Sequence, residues 1–150
     1  MRKPVLILLS ILLCPMILTA QQLPEKQVKE ILGRIRSERA VLEYECVTRG
    51  PAPLHLQGTL ALQGNCYLAK GNGMEIYCDG ITRWTVDPEE KEVYIEDAGG
   101  IQEILEGDNS LESLSIKNLK YIPQTGGLRD FRFDTSSLGS SWVVTDLREE

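Results

Sequence analysis

Few residues of this chain could do covalent or metal chemistry: one histidine, His55, and four cysteines, Cys14, Cys46, Cys66 and Cys78. A Ser–His–acid triad would need His55, which stands beside Gly50-Pro51-Ala52-Pro53 and among polar odd-numbered positions. Asp79, Glu75 and Asp87 could supply the carboxylate pair of glycoside chemistry. Yet aspartates in Asp79-Gly80 and Asp87-Pro88 are explained by the backbone hydrogen bonds that turns ask of such side chains. The cysteine spacing is not that of a zinc site, and no P-loop, dinucleotide-binding or HExxH pattern occurs. The expectation is a protein that binds rather than catalyses, with no catalytic residue, no metal and no cofactor.

The first twenty residues carry the marks of a secretory signal peptide. Arg2 and Lys3 precede an apolar run from Val5 to Leu18, and Leu18-Thr19-Ala20 makes a small-residue cleavage end. The run is short for a membrane span, and Leu13 stands where a lipoprotein signal would need a small residue before Cys14. Residues 21–150 are then expected as one soluble, exported domain. Beyond the leader, 14 basic face 22 acidic side chains, a formal charge of −8 with no basic patch. Nucleic acid and anionic membrane surfaces are poor partners for such a surface.

Cys46, Cys66 and Cys78 are an odd number for an exported chain, so at least one thiol stays unpaired unless it bridges two chains. A turn at Gly71-Asn72-Gly73 would set Cys66 opposite Cys78, Leu68 opposite Ile76 and Lys70 opposite Met74. The two thiols then either form a cross-strand disulfide or stand as small apolar side chains on one face.

The elements that must position these residues are mostly strands. Pro24-Glu25 opens an amphipathic helix in which Val28, Ile31, Leu32 and Ile35 recur at helical spacing, through about Arg39. Val41 to Arg49 alternates, with Leu42, Tyr44 and Cys46 on one side and Glu43 and Glu45 on the other. A long strand is expected over Leu54 to Ala69, bent at Gly58 and Gly64, followed by strands at Glu75–Cys78, Ile81–Val86 and Lys91–Glu96. Ile101, Ile104 and Leu105 mark a short helix ending at Gly107, a candidate lid. Leu111–Ile122, Asp130–Asp134 and Ser141–Leu147 are expected as strands, joined by Pro123-Gln124-Thr125-Gly126-Gly127 and by Ser136 to Ser140. Phe131, Phe133, Trp142 and Val144 should point inward.

The fold class is therefore α+β, mainly antiparallel β. Leu60, Leu62, Cys66, Leu68, Met74, Ile76, Cys78, Trp84 and Val86 all fall on even numbers, which predicts one apolar face. Leu60, Leu62, Leu68, Met74, Ile76, Trp84 and Val86 are the expected lining of an apolar, ligand-binding concavity.

Gly58-x-Leu60, then Asp79-Gly80, Trp84, Val86-Asp87-Pro88, Val93 and the closing Val144-Thr145-Asp146-Leu147-Arg148 resemble the periplasmic outer-membrane lipoprotein carriers, the LolA-like proteins. The resemblance covers about Leu42–Val93 and the last few residues. It implies a curved half-barrel, an incomplete antiparallel barrel with the N-terminal helix and a short lid helix over its concave face. It also implies a carrier or chaperone that holds the acyl chains of lipoproteins, or another apolar ligand, for transfer towards the outer membrane. Membrane-bound donor and acceptor proteins would be its partners and a monomer its working form. It places Asp79, Gly80, Trp84, Asp87 and Pro88 at positions that shape the sheet. The chain departs from that family in having Gln63-Gly64 where an Arg-Pro pair ties down the lid, and in being shorter by about one hairpin before the final strands. The other reading is an interaction or sensor module with a filled core and a protein partner.

Overall fold

Gly, Asn and Asp at short intervals fold the middle of the chain into successive tight hairpins. The computed structural model describes residues 23–106, 111–124 and 127–149. The leader expected over 1–20, the Gln21-Gln22 lead, the end of the short helix at Gly107 and the Thr125-Gly126 part of the late loop lie outside the described residues. The elements are α1 (Glu25–Arg34), β1 (Glu38–Thr48), β2 (His55–Gln63), β3 (Cys66–Gly71), β4 (Met74–Cys78), β5 (Thr82–Asp87), β6 (Glu92–Asp97), α2 (Ile101–Glu106), β7 (Leu111–Pro123) and β8 (Val143–Asp146). The strands make one open sheet in the order β7-β1-β2-β3-β4-β5-β6-β8. Neighbours are antiparallel throughout, except that β8 runs parallel to β6.

The apolar stripe of α1 is the one the spacing predicts, and Val28, Ile31 and Ile35 are buried. The helix ends at Arg34, earlier than about Arg39, because the chain is claimed by the sheet. Ile31 O accepts the last helical bond from Ile35 N at 3.0 Å, and Glu38 and Arg39 already pair with Pro123 and Ile122 of β7. Arg34 spans the junction, donating from Nε and Nη2 to the Glu38 carboxylate at 2.7 and 3.0 Å.

The expected long strand is two strands. Gly64-Asn65 is a two-residue hairpin turn between paired Gln63 and Cys66, with Gly64 at φ 59° where a Cβ would be strained. Gly58 is no bulge; it faces Gly71 directly, and a Cβ there would stand 2.0 Å from the Lys70 carbonyl oxygen. The space above Gly71 is taken by the Tyr44 hydroxyl, which would lie 2.9 Å from a Cβ at that position. An aromatic ring thus covers ground that two glycines leave bare.

The next turn moves the register. Asn72 (φ 55°) and Gly73 (φ 77°) form a two-residue turn, so Gly71 pairs with Met74 and Cys78 pairs with Tyr67. Cys66 is therefore not opposite Cys78, and Cys46, Cys66 and Cys78 are all free thiols. Asp130–Asp134 is not a strand: a 3-10 turn at Arg129–Phe131 and another at Thr135–Ser137 carry the chain to β8, which is shorter than expected. Phe131 is fully buried and Phe133 and Trp142 half-buried, whereas Val144 is exposed on the outermost strand.

Candidate functional site

Residues paired across an antiparallel ladder project from the same face, so register carries facing from strand to strand. On β1 the alternation holds as read, with Ala40, Leu42, Tyr44 and Cys46 on one face and Glu43 and Glu45 on the other. Leu60 and Leu62 of β2 share that first face. Each following turn has an even number of loop residues, two at Gly64-Asn65 and Asn72-Gly73 and four at Asp79–Thr82 and Pro88–Lys91. An even loop inverts which parity faces which way. The first face is continued by odd residues on β3 (Tyr67, Ala69), even on β4 (Met74, Ile76, Cys78), odd on β5 (Arg83, Thr85) and even on β6 (Tyr94, Glu96). We call it the helix face, because Val28 and Ile31 of α1, Ile35 just past its end, and Ile101 and Leu105 of α2 are buried in one cluster with Ala40, Leu42, Leu60, Leu62, Tyr67 and Cys78.

The expectation that seven even-numbered residues share a face is thereby corrected. Leu60, Leu62, Met74 and Ile76 lie on the helix face; Leu68, Trp84 and Val86 lie on the opposite, tail face. There Val86, Val93 and Ile95 are buried under the C-terminal segment, with Tyr77, Trp84, Phe133, Leu138 and Trp142 packed around them. The Tyr77 and Phe133 rings stand 5.3 Å apart between centroids, tilted by 46°.

On the helix face the packing leaves a cavity of about 300 Å³. Its walls are Leu23 ahead of α1, Tyr44 and Cys46 of β1, Leu60 of β2, Tyr67 and Ala69 of β3, Ile76 of β4, Leu105 of α2, and Leu114 and Ile116 of β7. Arg83 and Thr85 of β5 close one side. Of the expected lining, only Leu60 and Ile76 reach this space. Leu62 is wholly buried in the packed part of the same face. Leu114 and Ile116 were readable as inward residues of an alternating strand, whereas Arg83 gave no signal beyond standing two residues from Thr85.

Arg83 donates from Nε and Nη2 to Oε2 of Glu96 at 3.1 and 2.5 Å, and its guanidinium also interacts with the Tyr67 hydroxyl. Burial alone would lower its pKa; the Glu96 carboxylate and Tyr67 outweigh that and raise it, so the group stays a cation. Burial pushes the thiol of Cys46 up, and that of Cys66 and Cys78 likewise, which keeps all three protonated and poor nucleophiles. Tyr67 is raised by burial as well.

The residues with textual promise of chemistry are occupied elsewhere. His55 Nε2 is 3.1 Å from Glu45 Oε1 on an exposed surface. Asp79 Oδ1 accepts from the backbone of Ile81 and Thr82 at 3.0 and 2.9 Å while Oδ2 takes Arg132 Nε at 3.1 Å. Asp87 Oδ1 accepts from Glu89 N and Glu90 N, both at 3.1 Å, and Glu75 accepts from the Tyr77 hydroxyl at 2.9 Å. Gln63 faces away from the helices and accepts from Arg39 Nε at 2.9 Å. Among the described residues no three His, Cys, Asp or Glu side chains come together as a metal site, and no helix is long and apolar enough to cross a membrane. The chain matches no family model and no curated protein.

Proposed function

We propose that this domain binds an acyl chain, or another apolar ligand of similar girth, in the helix-face cavity and acts as an exported carrier or chaperone. The observation that carries the reading is the cavity itself. The cavity is partly open to the surface, and its walls are almost wholly apolar, where three other hollows of the described surface are lined at least as much by polar as by apolar groups. Here about 300 Å³ stays open among leucine, isoleucine, alanine and tyrosine side chains, at the lower end of the range for small-molecule sites. Water gains little in such walls, whereas each buried methylene of a ligand contributes about 0.8 kcal/mol. A sensor module with a filled core would have no reason to leave that space.

The half-barrel form belongs to this reading. Leu114 of β7 and Arg83 of β5 are five strand positions apart, about 24 Å in a flat sheet. That both border one cavity favours a sheet coiled towards itself, with α1 and α2 as its cover and α2, six residues long, as the lid. The likeness to the lipoprotein carriers points the same way. It suggests periplasmic work, delivery towards the outer membrane and membrane-bound donor and acceptor proteins. Native mass spectrometry of the protein purified after export tests the reading. A retained acyl-bearing mass, lost in Ile76→Asp with the fold intact, is the expected result; a ligand-free protein that also takes up no added fatty acid would refute it.

A further inference from the structure

Resting on the reading of the cavity as a chain-binding site, we infer that its occupant is a single-chain amphiphile with an anionic head, and that Arg83 receives that head. The helix face is not apolar throughout. From β1 to β4 its rows run through leucine, alanine, isoleucine, methionine, cysteine, glycine and the rings of Tyr44 and Tyr67, but at β5 they reach Arg83 and Thr85, and at β6 Glu96 and Tyr94. The cavity straddles that boundary. Its far side is Leu114, Ile116 and Cys46; its near side is Arg83 and Thr85, with the Tyr67 hydroxyl beside the guanidinium. A space greasy at one end and cationic at the other has the polarity of a fatty carboxylate or an alkyl phosphate.

The pairing around Arg83 leaves room for such a head. A guanidinium carries five N–H donors in a planar fork. Both bonds to Glu96 end on the single oxygen Oε2, made from Nε and one Nη2 hydrogen, and among the described residues the Tyr67 hydroxyl is the other group beside the guanidinium. Donors remain over, and Arg83 cannot escape the cost of partial burial by losing its proton. Arg83 and Glu96 are each about one-third exposed, so the Glu96 carboxylate can turn to water when a ligand anion replaces it. Charge-assisted hydrogen bonds are roughly twice as strong as neutral ones, so an anion gains here what an ester or alcohol head does not. The chain as a whole, at formal charge −6, offers anions no general attraction. Selectivity for an anionic head must then come from Arg83, the cation among the described residues that line the cavity.

Titration calorimetry below micellar concentration, at about pH 8 where fatty carboxyls are ionised and Arg83 is charged, tests the inference with dodecanoate, dodecyl phosphate, dodecanol and dodecyltrimethylammonium. At least one of the two anions should bind roughly tenfold or more tightly than dodecanol, with the quaternary ammonium weakest. Which anion leads tells a carboxylate from a phosphate source. Arg83→Gln should erase the preference, bringing both anions to within about twofold of dodecanol in the same variant. Glu96→Gln should tighten the anion alone, which keeps the test intact if Arg83→Gln does not fold by circular dichroism. Dodecanol binding as tightly as both anions overturns this inference and leaves the cavity reading standing. If none of the four binds, the cavity reading falls and this inference with it.

Discussion

Between β4 and β5 the buried side of the sheet changes over. On β1 to β4 the apolar residues of the helix face meet α1 and α2. On β5 and β6 the apolar residues Trp84, Val86, Val93 and Ile95 point the other way and are met by Phe133, Leu138 and Trp142 of the C-terminal segment. The two covers are of different kinds. Helices of ten and six residues present stiff, narrow stripes that cannot follow a broad apolar face, and a gap remains beside Tyr44 and Ile76. An irregular segment follows the sheet residue by residue, and Phe133, Leu138 and Trp142 pack against the cluster of Val86, Val93 and Ile95. One half of the molecule is finished and the other is left with space in it.

The largest effect should come from the packed part of the helix face next to the cavity. Leu62 is wholly buried, so Leu62→Glu places an unpaired charge there and should unfold the domain, a loss of several kcal/mol against a total of about 5–15. Circular dichroism checks it. A folded Leu62→Glu protein would mean that the cavity reaches past Leu60 to Leu62.

Truncation on the two sides sharpens the comparison. Val93 is fully buried in the sealed half, and Val93→Ala should destabilise by about 2 kcal/mol, from the lost carbons and the void they leave. Ile76→Ala removes more carbon but only enlarges an existing space, and should destabilise by about 1 kcal/mol or less. Urea midpoints of the two variants decide. The opposite order would make Ile76 part of a filled core.

A smaller effect concerns the strap that holds the tail cover. Burial alone would raise the Asp79 carboxyl, but the backbone N–H groups of Thr82 and Ile81 and the Arg132 guanidinium hold it below the ordinary aspartate value. A depressed folded pKa gives stability that is present above the unfolded value, near 3.9, and is lost as pH falls through the lower folded one. Asp79 is mostly buried, and Asp79→Asn, which keeps the Oδ1 acceptor but loses the charge, should remove about 0.5–1 kcal/mol at neutral pH and flatten the acid limb of the stability curve below about pH 4. A parallel acid limb in the variant would assign acid sensitivity to other groups.

Much of this was legible in the residues. The stripe of α1, the alternation of Leu42, Tyr44 and Cys46 against Glu43 and Glu45, and the turn roles of Asp79 and Asp87 follow from local periodicity and side-chain chemistry, and the structure keeps them. What was not legible is how facing passes from strand to strand. Even numbering put Leu60, Leu68, Ile76 and Trp84 on one side, yet facing depends on the exact length of every turn. A turn read as three residues around Asn72 instead of two is enough to invert a strand. Gly64-Asn65 hid for the same reason, a turn signal read as a bend inside an apolar run. Arg83 was silent because a single charged residue in an alternating strand reads as solvent-facing until register shows the cavity beside it.

The measurement that bears most directly on the difference between the halves is a chain-length series of saturated fatty acids, followed by calorimetry and by alkylation of the thiols at alkaline pH. Cys46 lines the cavity, Cys66 lies on the tail face, and both tryptophans, Trp84 and Trp142, sit in the sealed cluster. Affinity should rise about fourfold per added methylene until the cavity is full, with Cys46 protected in step, Cys66 unprotected and tryptophan emission unchanged. An affinity independent of chain length, or saturable tryptophan changes with Cys46 unprotected, would contradict the account.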